Sequence, residues 1–248
     1  MTNPIYAIGD IHGHLDQLET ALARIHADGG PNAQIVFLGD YIDRGPASAQ
    51  IIDVLIQAQA DNRPWTMLKG NHDTYPAMFI ETGKTNASKG RPELSWFDPV
   101  GGGAAFMASY GIPVADRPLA DIRAQAQKTV PQAHLDFLKT RPLSYETADH
   151  FFAHAGICPG RAFADQLEED LIWIRDAFLD DTRDHGKLVI HGHSARPYPE
   201  HRGNRVNLDG GAGFGRELIP AVFQGRKAAL LTAQGRVPLD PNLAECAQ

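Results

Sequence analysis

The sequence predicts an α/β (α+β) protein, a sandwich of two mixed β-sheets flanked by helices. Three observations predict it. The first seventy or so residues alternate short apolar runs with amphipathic stretches in the order β-α-β-α-β, the signature of parallel strands joined by right-handed crossovers. Each of those apolar runs then breaks at glycine into Asp, Asn or His. Beyond Leu143 the helical period gives way to strand pairs, so a second strand-rich half must pack on the first.

Taken in order, Ile5-Tyr6-Ala7-Ile8 is the first strand and runs into Gly9-Asp10-Ile11-His12-Gly13-His14. Leu15, Leu18, Leu22 and Ile25 recur at helical spacing, predicting a helix to about Asp28 that Gly29-Gly30-Pro31 stops. Ile35-Val36-Phe37-Leu38 is the second strand and enters Gly39-Asp40-Tyr41-Ile42-Asp43-Arg44-Gly45. A helix from about Ala47 to Gln59 shows Ile51, Ile52, Leu55 and Ile56 on one face. Trp65-Thr66-Met67-Leu68 then delivers Lys69-Gly70-Asn71-His72-Asp73. From Thr82 to Gly103 the periodicity fades, and the region around 82–139 is expected to be an insertion or cap on a single domain spanning 1–248. Short helices are expected near Leu119–Lys128 and Pro131–Lys139. Strands follow at Leu143–Glu146, His150–Ala153, Lys187–Ile190, Arg205–Leu208, Leu218–Phe223 and Lys227–Leu231. A helix through Leu171–Arg175 interrupts them, and Gly225-Arg226 closes a hairpin.

Bulk composition narrows the function. A chain of 248 residues with 43% hydrophobic content can bury a full core. A net charge of −7 without a Lys/Arg run argues against nucleic acid or a membrane surface as the main partner. Two cysteines, Cys158 and Cys246, make neither a disulfide framework nor a zinc motif. No run reaches the ~18 apolar residues of a membrane span, and no basic-then-apolar leader opens the chain. The expectation is a cytoplasmic protein.

The chemistry lies at the strand exits. In open α/β sheets the carboxyl edge of the strands is where ligands bind. Asp10-x-His12 places a carboxylate and an imidazole on one side of an extended segment, although two surface polar residues would read the same way. Asp40 and Asn71 add oxygen ligands, and His154 and His193 repeat the arrangement of strand, small residue and histidine in the second half. With Asp40 shared, Asp10 and His12 make one metal site, and Asn71, His154 and His193 make the other. Two ions about 3.5–4 Å apart stabilise both the entering and the leaving oxygen of an in-line displacement at phosphorus. His72, not needed as a ligand, can protonate the leaving oxygen, and Asp43 can orient it and favour its charged form. Arg44 offers a fork for phosphate oxygens, although Asp43 and Arg44 could instead pair with each other at a turn.

These blocks resemble the calcineurin-like metallophosphoesterase superfamily, in its phosphoprotein phosphatase and symmetrical diadenosine tetraphosphatase branch. Gly9-Asp10-x-His12-Gly13, Gly39-Asp40-x-x-Asp43-Arg44-Gly45, Gly70-Asn71-His72-Asp73, His154-Ala155-Gly156 and Gly192-His193 all match in order and spacing. The resemblance implies a four-layer αββα fold, a centre of two divalent ions (manganese, with iron or zinc as alternatives) and metal-activated water as nucleophile. It also implies that Arg175 is a second phosphate-binding arginine beside Arg44 and Asn71. Asp43 is typical of the phosphoprotein phosphatases, whereas Ala155-Gly156-Ile157-Cys158-Pro159 is shared with the tetraphosphatases. Ala195 stands where many members carry a further histidine.

The expected activity is hydrolysis of phosphoserine or phosphothreonine in a protein or peptide. Hydrolysis of a dinucleoside polyphosphate is the first rival, with Arg91, Trp96 and Phe97 as residues that could hold a nucleobase. A phosphoprotein-binding scaffold without catalysis is the rival of another class. His14 and His191 are expected to support the ligands, and Asp209 to offer a hydrogen bond under the site. His26, His134, His150, His185 and His201 are expected to be structural or at the surface.

Overall fold

A computed structural model describes residues 3–87 and 93–241. Strand β1 (Ile5–Ile8), helix α1 (Leu15–Gly29), strand β2 (Gln34–Phe37), helix α2 (Ser48–Ala60) and strand β3 (Trp65–Met67) follow the predicted order. The three strands pair in parallel, with Ile5 opposite Gln34 and Ile35 opposite Trp65. A 3₁₀ turn at His72–Thr74 opens directly into α3 (Tyr75–Thr82), which the sequence pattern had not shown. Pro76 in its first turn and Gly83 in a left-handed conformation at its end mark its limits. Next come α4 (Gly103–Ser109), also unexpected, then α5 (Leu119–Thr129) and α6 (Gln132–Lys139) near their expected positions.

The second half contains β4 (Ser144–Glu146), β5 (His150–Ala153), α7 (Glu168–Trp173), α8 (Asp176–Leu179), β6 (Leu188–His191), β7 (Glu200–His201), β8 (Arg205–Asn207), β9 (Ala221–Gln224), β10 (Lys227–Thr232) and β11 (Gly235–Pro238). One sheet has the order β11-β10-β9-β1-β2-β3, the other β4-β5-β6-β8-β7. Strands β9 to β11 therefore return to the first sheet, with β9 antiparallel to β1. The second sheet has a parallel centre of β5, β6 and β8 and antiparallel edges. Arg175 is not in the expected helix, because α7 ends at Trp173 and Arg175 occupies the joint before α8.

Side-chain alternation along β1 explains the layers. Ile5 and Ala7 point into a core shared with Phe152, Ile190 and Val206 of the second sheet. Tyr6 and Ile8 point the other way, into a core with Leu18, Ile25, Ile52, Leu55, Phe79 and Phe137 of the helices. On the far face of the second sheet, Phe151 and Val189 pack with Leu171, Ile172 and Phe178 of α7 and α8. Helices, sheet, sheet and helices thus stack in four layers. The Tyr6 hydroxyl donates to Asp28 at 2.7 Å, and Arg236 of β11 grips the same carboxylate with two nitrogens, each at 2.7 Å.

Candidate dimetal site

The exits of β1, β2, β3, β5 and β6 converge at one edge of the sandwich, and their backbone is unusual there. Seven described non-glycine residues have positive φ, and five of them are His12 (47°), Asp40 (52°), Asp43 (74°), Arg44 (64°) and His193 (64°). Such conformations cost of order 1–3 kcal/mol each and persist only where the surroundings hold them. The clamp is visible at Asp73. Its two carboxylate oxygens accept from the backbone N–H groups of Asp40 (3.0 Å), Tyr41 (3.1 Å) and Gly70 (2.8 Å), locking the loops after β2 and β3 together. Nothing in the sequence pattern singled out Asp73 for this work. Gly70 is required by the same closeness, since a Cβ there would lie 2.1 Å from Asp40 Oδ1.

Two groups of buried side chains at this edge could hold metal ions, His12 with Asp40 and His72, and Asp40 with His154 and His193. Asp40 belongs to both. Its Oδ1 accepts from the His72 backbone N–H at 2.9 Å. Its Oδ2 lies 3.6 Å from His12 Nε2 and 3.5 Å from His154 Nε2. Asn71 Oδ1 joins the second group, 2.9 Å from His154 Nε2 and 2.8 Å from His193 Nδ1. Asp10 sits beside these groups, accepting from the His193 backbone N–H with both oxygens at 3.1 Å.

The donor set fits divalent cations. His12 Nδ1 and His154 Nδ1 each lie 2.8 Å from a backbone carbonyl, of Ile42 and Leu38 respectively. A carbonyl can only accept, so the ring proton is on Nδ1 and the Nε2 lone pair faces the centre. Burial pushes both imidazoles toward the neutral form. The lone pair of His154 therefore meets Asn71 Oδ1 and Asp40 Oδ2, three acceptors without a proton between them. The carboxylates show the same need for positive charge. Burial first, then Asp209 and Asp40, raises Asp10 well above the usual carboxylate range, and burial followed by Asp40 raises Asp73 to about 7.

His72 has a second set of partners. Its Nδ1 donates to Asp43 Oδ2 at 2.6 Å, and Trp96 Nε1 donates to that same oxygen at 2.9 Å. Burial opposes charge on His72, but Asp40 and Asp43 outweigh it and hold the pKa above the ordinary value. The bond from Trp96 corrects the sequence reading, in which Trp96 and Phe97 were available to a nucleobase. Trp96 is fully buried and stacked on Tyr75, and Phe97 packs against Phe79 and Trp96. Arg91, the third residue of that set, lies outside the described residues.

Arg44 does not pair with Asp43. Its Nη1 and Nη2 reach His12 Nε2 (2.7 Å) and His72 Nε2 (3.2 Å), while its Nε donates to Val100 O at 3.2 Å. Arg175 Nη1 lies 3.5 Å from Ser194 Oγ. Both arginines line a cavity of about 580 Å³ with His12, Asp40, Asn71, His72 and His193, and Val100, Ala195, Asp209, Phe214 and Arg216 complete its wall. Arg216 and Phe214 were missed, because single residues in a glycine-rich loop carry no periodic signal. Among the remaining histidines, His134 is buried against Tyr110 Oη (2.7 Å) and Asp53 (3.0 Å), and His150 against Gly225 O (2.6 Å). Asp209 accepts from the Gly211 N–H at 2.9 Å.

The chain is similar to known phosphoesterases. The family model described as Calcineurin-like phosphoesterase matches residues 3–206. A symmetrical bis(5'-nucleosyl)-tetraphosphatase of Janthinobacterium sp. (strain Marseille) is 31% identical over 155 residues, 62% of this chain and 44% of that protein. The chain thus spans less than half of that relative's length. The asymmetrical bis(5'-nucleosyl)-tetraphosphatase PrpE of Oceanobacillus iheyensis is 24% identical over 243 residues, 87% of each chain. Serine/threonine-protein phosphatase 2 of Escherichia coli (strain K12) is 36% identical over 84 residues, 33% of this chain and 35% of that one. A crystal structure of a candidate diadenosine tetraphosphatase superposes with TM-score 0.63 at 20% identity, covering 97% of this chain and 95% of that one.

Proposed function

The chain belongs to the calcineurin-like phosphoesterase family, and we propose that it is a dimetal phosphoester hydrolase acting on phosphoserine or phosphothreonine in a protein or peptide. The observation that carries the finer reading is the buried His72–Asp43 pair, 2.6 Å apart, in which His72 also lies within reach of His12 and Asp40 and donates its backbone N–H to Asp40, the residue common to both metal-capable groups. Alkoxide is a poor leaving group, so an ester of serine or threonine gains most from a positioned proton donor.

In this reading Asp10, His12, Asp40, Asn71, His154 and His193 hold two divalent ions of the manganese, iron or zinc type. When bound, such a pair lowers the pKa of water and neutralises charge on the phosphoryl oxygens. The chain's own groups supply the rest. Arg44 and Arg175 grip and orient the phosphoryl group as forks, with the Asn71 amide beside it. His72, held by Asp43 through Nδ1, presents Nε2 to the leaving oxygen and gives it a proton, worth roughly 10²–10⁴ in rate. Trp96 keeps the Asp43 carboxylate turned to its task.

A second reading, hydrolysis of a dinucleoside polyphosphate, is supported by the tetraphosphatase relatives and by a third arginine, Arg216, in the cavity wall. Turnover of a phosphoserine peptide and of diadenosine tetraphosphate, measured side by side with manganese, separates the two. The proposal expects a higher kcat/KM on the peptide, and the reverse order would replace it. Absence of turnover on both would leave the binding scaffold. His72→Asn should depress kcat while metal content stays near normal. Loss of metal instead would mean that His72 is a ligand.

A further inference from the structure

The loop from Gly210 to Glu217 forms one wall of the cavity and is not explained by a single phosphoryl group. It is anchored at both ends. The Gly211 N–H donates to Asp209 at 2.9 Å, the Leu218 N–H donates to Gln17 Oε1 at 2.6 Å, and Glu217 pairs with Arg24 of α1 at 2.7 Å. Its middle presses on the site, since a Cβ on Gly213 would lie 2.5 Å from the His12 ring and 2.9 Å from Arg44 Nη1. The loop therefore projects two side chains from a fixed base. The Phe214 ring lies under the Arg44 guanidinium, 4.6 Å from centroid to Cζ, and stays 54% exposed at the mouth. The Arg216 guanidinium is fixed by donation from Nε to Gly210 O at 2.8 Å and lies against Gly211.

The scissile group offers three terminal oxygens in a monoester and two in an internal phosphate of a chain. In the proposed function a pair of cations and the guanidiniums of Arg44 and Arg175 supply at least one partner for each of them. A third guanidinium on the cavity wall has no oxygen of that group to grip. We propose that Arg216, with the exposed face of Phe214 beside it, forms a subsite for a second phosphoryl group of the substrate. That group is either the adjoining phosphate of a polyphosphate chain or the phosphate of a neighbouring modified residue. The subsite deepens the hydrolytic reading of this cavity and rests on it.

The test uses the manganese-loaded 248-residue chain and its Arg216→Ala and Arg216→Gln variants. The probes are p-nitrophenyl phosphate, diadenosine tetraphosphate, and one peptide carrying either a single phosphoserine or two adjacent ones. The quantity read is kcat/KM on a probe with a second phosphoryl group divided by kcat/KM on its one-phosphoryl counterpart. Both variants should lower that ratio about tenfold, mainly through KM, as expected for loss of one charged contact. A fall confined to diadenosine tetraphosphate assigns the group to a polyphosphate chain, and a fall confined to the doubly modified peptide assigns it to a second residue. Ratios unchanged on both would overturn the subsite. Wild-type protein that fails to turn over p-nitrophenyl phosphate would instead remove the hydrolytic reading beneath it.

Discussion

Trp96 shows how one side chain can serve both core and site. Its ring fills the space between Tyr75, Phe79 and Phe106, and its single N–H fixes the carboxylate that faces His72. Trp96→Phe keeps most of the packing and deletes the donor. It should lower kcat on an alkyl phosphate about tenfold while leaving kcat on p-nitrophenyl phosphate, which needs little proton donation, within about twofold. An equal loss on both substrates would show that Trp96 acts through packing alone. His191, two residues before the candidate ligand His193, supports a prediction about stability. Burial first, then Arg205, holds its pKa at about 3 against an ordinary 6.5, so between those values the unfolded chain carries the extra proton. Stability contributed by neutral His191 is complete above 6.5 and is lost as pH falls toward 3. His191→Gln should therefore flatten the acid side of the stability curve by about one proton, about 1.4 kcal/mol per pH unit, in denaturant titrations across that range. An unchanged slope would refute the assignment.

At the level of elements, the strand exits carry the design. The motif residues were legible in the sequence because a small residue, glycine or alanine, followed by Asp, Asn or His at the end of an apolar run is a local pattern, repeated at Asp10, Asp40, Asn71, His154 and His193. Asp73 and Trp96 were not legible in their observed roles, because each acts on a partner some thirty or more residues away and such contacts have no period. Helix α3 was hidden because Pro76 and the adjacent motif look like a turn, and β7 and β11 because short edge strands carry little alternation. Arg175 was assigned to a helix that stops at Trp173. The exits also explain a glycine. A Cβ at residue 192 would lie 2.0 Å from Asp10 Oδ1, closer than any real contact. Gly192→Ala should destabilise the chain by about 1–3 kcal/mol and weaken manganese binding at least tenfold in calorimetric titration. Normal affinity would mean that Asp10 does not contribute to holding the ions.

For the whole molecule, two sheets bring loop tips scattered from Asp10 to His193 to one edge. The core between the sheets was foreseeable from two strand-rich halves whose short apolar strands, such as β1, need cover on both faces. The return of β9 to β11 to the first sheet was not, because strand order depends on pairing partners rather than on pattern. No helix among the described residues is long and apolar enough to cross a membrane. Ions that bind only the folded state add stability, about 2.7 kcal/mol at a hundredfold excess over Kd. For a chain of this size that corresponds to a rise in Tm of roughly 5–10 °C on adding manganese. Asp40→Asn should abolish most of the rise, and a full rise in the variant would contradict a shared role for Asp40.

Anomalous diffraction at the manganese edge, from crystals of the chain grown with the ion, locates the cations themselves. Two peaks about 3.5–4 Å apart are expected beside Asp40, one toward His12 and one toward His154 and His193. A single peak, or two peaks that do not share Asp40, would contradict a pair of ions held in common by Asp40.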